Sequence, residues 1–226
     1  QLDLYWACAR IGAVAVPLSP LLTGTGLASL IADAGARCLL TRREFLPVVE
    51  AVLPELPTLA PERVLLTNAT LPPWGDYAAL AAAAPDGPPP DAGVAADDLF
   101  NIMYTSGTTG LPKGIMHSHR IRANYALLLG PAWRMTPESV VLHTGAIVFN
   151  GAFVTLMPAF HLGATYILHR QFDAAAMLAT IAAEQVTHVM VVPAQIIALL
   201  DSPAFDPRQL ASLQMILSLG APLPQA

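Results

Sequence analysis

An α/β fold, with mostly parallel sheets flanked by helices, is what this sequence predicts, and three observations predict it. Helical and strand patterns alternate along the chain at the spacing of parallel α/β units. Hydrophobic residues make up 54% of the 226 residues and charged ones only 12%, which excludes disorder across the chain and provides for a large buried core. From Ser139 to His169 no Asp, Glu, Lys or Arg occurs, as expected of strands covered on both faces by helices.

The elements follow in order. "LDLYWACARIG" reads as a helix stopped by Gly12, and "AVAVPL" as a short β-rich run. Thr25 is the expected cap of "GLASLIADAG", where Leu27, Leu30, Ile31 and Ala34 fall at helical spacing before Gly35. "RCLLT" is the next strand, and Pro54 to Pro73 carry no clear pattern. "LAAAAPDGPPPDAG", Leu80 to Gly93, is a short alanine helix running into a proline-rich connector, the best internal boundary. Leu99 to Tyr104 form a buried strand, and a helix is expected from Ser118 to Gly130 with Arg120 and Arg122 on its solvated face. "VVLHTG", "ATYILH", "VTHVMVV" and "LQMILSLG" are strands; Asp173 caps "AAAMLATIAAEQ", and "AQIIALL" is a short helix. The division expected is residues 1–84 as a first α/β segment, 85–96 as connector, and 97–226 as a second α/β subdomain.

Charge and cysteine usage narrow the function. A net charge of -5 argues against a nucleic-acid binder, which needs a basic face. Two cysteines, Cys8 and Cys38, are too few for a disulfide framework or metal cluster, and read as buried thiols of a cytoplasmic protein. The charge-free run exceeds the roughly 20 residues of a membrane span. His143, Asn150, Pro158, His161 and three glycines interrupt it, so a buried core is expected instead of a span.

The chemistry is concentrated in "YTSGTTGLPKG", Tyr104 to Gly114. Such a stretch packs poorly and is costly to order, so it needs a guest. Glycines let successive backbone N–H groups converge on an anion. Thr105, Ser106, Thr108 and Thr109 add hydroxyl donors, and Lys113 adds a mobile full charge. Hydrogen bonds to charged groups contribute about 1.5–3 kcal/mol each, enough in sum to offset the ordering of the turn around a polyphosphate. Between Asp98 and Glu138 no acidic residue occurs, while Lys113, Arg120, Arg122 and Arg134 do, a locally basic segment in an acidic chain. The pattern is neither G-x-x-x-x-G-K-[ST] nor G-x-G-x-x-G.

This motif closely resembles the phosphate-binding signature of the adenylate-forming, AMP-binding superfamily: acyl-CoA synthetases, peptide-synthetase adenylation domains and luciferases. "GAVAVPLSPLLTGTGLASLIADAGARCLLT", "LMPAFHLGATYIL", "FDAAAMLATIAAEQVTHVMVVPA" and "LGAPLP" resemble further blocks of that family, in its order. The resemblance implies the acyl-CoA synthetase type of fold, with the chain as part of the large N-terminal domain. It implies activation of a carboxylic acid with ATP and Mg2+ to an acyl-adenylate, then transfer to coenzyme A. Thr105, Ser106, Gly107, Thr108, Thr109, Gly110 and Lys113 would hold the β- and γ-phosphates, with Thr105 also a candidate magnesium contact. Gly220, Ala221 and Pro222 would border the adenine and acyl pocket, although Leu219 stands where the family often has glycine.

Phe149, Asn150 and Gly151 match the family's acyl-pocket segment. Amino-acid adenylation domains carry an aspartate at the Asn150 position to pair the substrate ammonium, and an unpaired ammonium in an apolar pocket is costly. The resemblance therefore implies a fatty or aromatic acid as the small-molecule partner. A peptide-synthetase adenylation domain and a non-catalytic nucleotide-binding remnant remain the alternatives. The family's magnesium-binding glutamate block and C-terminal catalytic lysine do not occur in this sequence, so the chain is expected to be a piece of a longer protein and inactive alone. Incomplete sheets expose edges, which makes self-association an expected hazard.

Overall fold

The computed structural model describes residues 1–105 and 112–222. The chain divides into two compact units: residues 2–94 with 99–116, and residues 95–98 with 117–226, to which Gln1 is also assigned. Leu99–Met116 thus groups with the N-terminal residues, whereas the sequence placed everything from 97 onward together. A backbone bridge from Ala15 to Asn101, with Ile102 N–H donating to the Ala15 carbonyl at 3.0 Å, ties this segment to the N-terminal unit.

In the N-terminal unit, helix α1 (Leu2–Arg10) precedes α2 (Gly24–Asp33), α3 (Leu46–Val52) and α4 (Tyr77–Ala82). Strands β1 (Leu39–Thr41), β2 (Val64–Leu66) and β3 (Gly75–Asp76) form a parallel sheet in sequential order. Its core joins Leu27 and Ile31 of α2 to Val49 and Val52 of α3 and Leu66 of β2. Burying each such side chain stabilises by about 1.5–3 kcal/mol. Three sequence expectations change here. The residue capping α2 is Thr23, in extended geometry and without a side-chain hydrogen bond, so Thr25 lies inside the helix. "AVAVPL" contributes the Ala15 bridge rather than a strand. Cys38 is exposed, not buried.

Strands β4 (Leu99–Thr105) and β5 (Lys113–Ser118), which flank the glycine-rich stretch in sequence, pair as a two-stranded sheet. Strand β5 was not expected from the sequence, but the helix after it was: α5 runs from His119 to Ala132, capped by the Ser118 hydroxyl, which accepts from Ile121 N–H.

The C-terminal unit is built on four parallel strands: β6 (Val140–Thr144), β7 (Thr165–His169), β8 (His188–Val191) and β9 (Met215–Ser218), in the order β7-β6-β8-β9. Helices α6 (Asn150–Leu162), α7 (Ala174–Ala183) and α8 (Pro193–Leu200) connect them. The charge-free run is therefore strand, helix and strand. Helix α6 is apolar because it is buried: Phe153, Leu156 and Ala159 are inaccessible or nearly so. Among the described residues no helix is long and apolar enough to cross a membrane. Helix α6 packs on α5 closely, since a Cβ added at Gly130 would lie 3.2 Å from Leu162 Cδ1. Asp173 caps α7 as expected, its carboxylate accepting from Ala176 N–H at 2.7 Å.

Candidate functional site

The neck of the glycine-rich turn is held by specific packing within the N-terminal unit. Thr105 closes β4 and Lys113 opens β5; both are exposed. Ser106, Gly107, Thr108, Thr109 and Gly110 lie outside the described residues. A Cβ at Gly114 would stand 3.0 Å from Ile102 Cγ2 and 3.2 Å from the Tyr104 ring, so glycine is what lets β5 lie against β4 there. The Tyr104 hydroxyl donates to the Asp33 carboxylate at the end of α2. Burial and the Asp33 charge push the phenol well above its ordinary value, so it stays a donor. The strand residues that flank the stretch are thus fixed.

The locally basic segment resolves into different roles. Arg120 is exposed and bound by both Asp97 oxygens, at 2.7 and 2.9 Å. Arg122 is not on a solvated face: it is 1% exposed. It lies on one stripe of α5 with Ala126 and Gly130, the buried positions of that helix. That i, i+4, i+8 spacing was readable in the sequence, and the flanking small residues signal close helix packing.

Arg122 reaches across to the start of α6. Its Nη1 donates to Asn150 Oδ1 at 2.8 Å, and its guanidinium carbon lies 4.2 Å from the Phe153 ring centroid and 5.1 Å from that of Tyr125. Asn150 Nδ2 donates to the Tyr125 hydroxyl at 3.1 Å. Two i, i+3 pairs, Arg122 with Tyr125 and Asn150 with Phe153, therefore interlock between α5 and α6. Removing a guanidinium from water costs several kcal/mol. The charged hydrogen bond, worth about 1.5–3 kcal/mol, and a desolvated cation–π contact of about 2 kcal/mol offset that cost. Orientation rather than net stability is the product.

The carboxyl edge of a parallel sheet is where α/β folds place ligands. In this unit the sheet brings two predicted groups to that edge: Phe149–Gly151 after β6, and Gly220–Pro222 after β9. Phe149 is 57% exposed, which excludes a role as ordinary core in this chain. A Cβ at Gly151 would lie 2.8 Å from Met190 Cε, so glycine admits the β8 side chain against the first turn of α6. Gly220 has φ +94, a conformation that favours glycine, while Leu219 needs no such freedom. Beside them, Gln195 accepts from Val192 N–H and donates to the Thr144 hydroxyl, tying α8 to the end of β6.

His143, also at this edge, is 5% exposed, and neither ring nitrogen makes a hydrogen bond among the described residues. Burial holds its imidazole below the ordinary value, against a smaller opposing influence of the Ala146 backbone, whose approach falls outside hydrogen-bond geometry. His188, by contrast, is satisfied by Thr187 and the Trp133 carbonyl. Among the described residues no three His, Cys, Asp or Glu side chains form a metal-binding group.

A family model described as AMP-binding enzyme matches residues 3–226. The chain belongs to the AMP-binding enzyme family. It is 34% identical to a feruloyl-CoA synthase of Amycolatopsis sp, over 99% of this chain and 42% of that protein. It is 32% identical to an indoleacetate–CoA ligase of Aromatoleum aromaticum, over 96% and 42%. The chain thus spans about two-fifths of the length of these curated relatives. Among solved structures, ATP-bound MatB from Rhodopseudomonas palustris superposes with a TM-score of 0.80 at 28% identity, over 98% of this chain and 42% of that one. A putative long-chain-fatty-acid CoA ligase of the same species superposes at 0.84 with 24% identity, over 98% and 54%, a likeness of fold. This AMP-binding chain therefore has the α/β fold of the acyl-CoA synthetases.

Proposed function

We propose that the full protein is an AMP-forming acid–thiol ligase acting on an aromatic carboxylic acid, with coenzyme A as the acceptor. The observation that carries the reading is a hydroxyl- and glycine-rich stretch of sequence between two paired strands, with Thr105 and Lys113 exposed at its two ends. Thr105, Ser106, Gly107, Thr108, Thr109, Gly110 and Lys113 grip the β- and γ-phosphates of ATP. The acid's carboxylate oxygen attacks the α-phosphorus, and the bond to the pyrophosphate oxygen breaks. A thiolate then attacks the acyl carbonyl and AMP leaves. Two anions must meet in the first step, and donors fixed in advance at the polyphosphate lower that barrier without reorganising. Mg2+, when bound, adds charge neutralisation on the phosphates, and the Thr105 hydroxyl is the chain's own group for it.

Phe149, Asn150 and Gly151 line the acyl pocket, and Gly220, Ala221 and Pro222 border the adenine and the acyl group. Asn150 carries no charge and its amide is engaged by Arg122 and Tyr125, so a substrate ammonium finds no counter-ion at this position. The names of the feruloyl-CoA and indoleacetate–CoA relatives support an aromatic acid over a fatty one. A thioester-forming assay of the full-length protein against aromatic, fatty and amino acids tests this. Turnover with arylalkanoic or arylacrylic acids above all others is expected; preference for an amino acid overturns it.

A further inference from the structure

We infer that Arg122 is a positioning residue for acyl-substrate recognition: it sets the acyl pocket's wall from behind by clamping Asn150 at the first turn of α6. The inference rests on the reading of Phe149–Gly151 as acyl-pocket residues. Phe149, the residue preceding α6, supplies no side-chain hydrogen bond to the helix N-terminus. The first turn is instead fixed sideways, through the Asn150 amide. Arg122 holds Oδ1 at 2.8 Å and Tyr125 accepts from Nδ2 at 3.1 Å, which removes the amide's freedom to flip or swing. The guanidinium itself lies against the Phe153 and Tyr125 rings and is 1% exposed, so it is out of reach of substrate. It acts through Asn150. Its planar fork on an amide oxygen and two rings is a geometry that lysine does not reproduce.

The test is a double-mutant cycle in the full-length protein, reading acid-dependent ATP–pyrophosphate exchange. Arg122→Leu is expected to raise the KM for the acid about tenfold while the KM for ATP stays within about twofold. Asn150→Ala alone does the same, and adding it to Arg122→Leu changes little more, because one network is removed once. Arg122→Lys restores less than half of the loss on a logarithmic scale. Effects that multiply in the double variant, or a KM for ATP that rises in parallel with that of the acid, overturn the inference. Should the Arg122 variants fail to fold, Tyr125→Phe with Asn150→Ala gives a second cycle on the same network, and independent effects there overturn it equally. A wild-type protein that exchanges pyrophosphate with no acid fails the activity reading itself, and the inference with it; an active wild type with additive effects fails the inference alone.

Discussion

The neck between β4 and β5 and the first turn of α6 are built on opposite plans. At the neck, polar residues follow one another in sequence, Thr105 and Lys113 at its two ends are exposed, and Gly114 packs closely on Ile102 and Tyr104. At α6 the polar groups are drawn inward from 28 residues apart, and Arg122 and Asn150 satisfy each other. The difference teaches where chemistry is visible. A turn that cannot pack advertises its ligand in its composition, whereas a network that packs well hides among apolar neighbours.

The sharpest break of this comparison is Lys113→Ala. An exposed lysine at the first position of a strand contributes little to folding, so the full-length variant should keep its Tm while acid-dependent pyrophosphate exchange falls about tenfold to a hundredfold, the cost of a lost charged hydrogen bond. Loss of stability in parallel would make Lys113 structural. Next, Gly114→Val puts methyls where even a Cβ stands 3.0 Å from Ile102, and should destabilise by about 1–3 kcal/mol in urea unfolding. An unchanged midpoint would show that the strands do not need that closeness. Tyr104→Phe removes the donor to Asp33 and should cost about 1 kcal/mol, with exchange reduced less than by Lys113→Ala.

The smallest effect is a pH dependence on the α6 side. The folded-state pKa of His143 is depressed by burial, so both states are neutral above the unfolded value of about 6.5. As pH falls through that value the unfolded chain takes up a proton that the folded one refuses, and stability drops toward the folded pKa. The slope for one such proton is at most about 1.4 kcal/mol per pH unit. Unfolding midpoints between pH 7 and 5 should decline less steeply in His143→Leu than in wild type. Equal slopes would place the titration elsewhere.

Legibility followed the same division. Elements with local signals were readable: the cap at Asp173, helix α5 from about Ser118, and the strands β4, β6, β7, β8 and β9. Helix α6 was not, because burial on all sides erases the amphipathic pattern that marks a helix. Strand β5 was missed because Lys113–Ser118 earns its place by pairing with β4, not by composition. Arg122 and Arg120 stand two apart and look alike in sequence; only the stripe shared with Ala126 and Gly130 separates the buried one from the one held by Asp97. The glycine- and hydroxyl-rich stretch stands out in composition, but the partner of Asn150 depended on how two helices meet.

Binding of ATP and of AMP to the full-length protein, measured by calorimetry for wild type and Lys113→Ala, tests the central claim most directly. If the turn after β4 grips the outer phosphates, the substitution weakens ATP about tenfold or more and leaves AMP unchanged. Equal weakening of both nucleotides, or of neither, would contradict it.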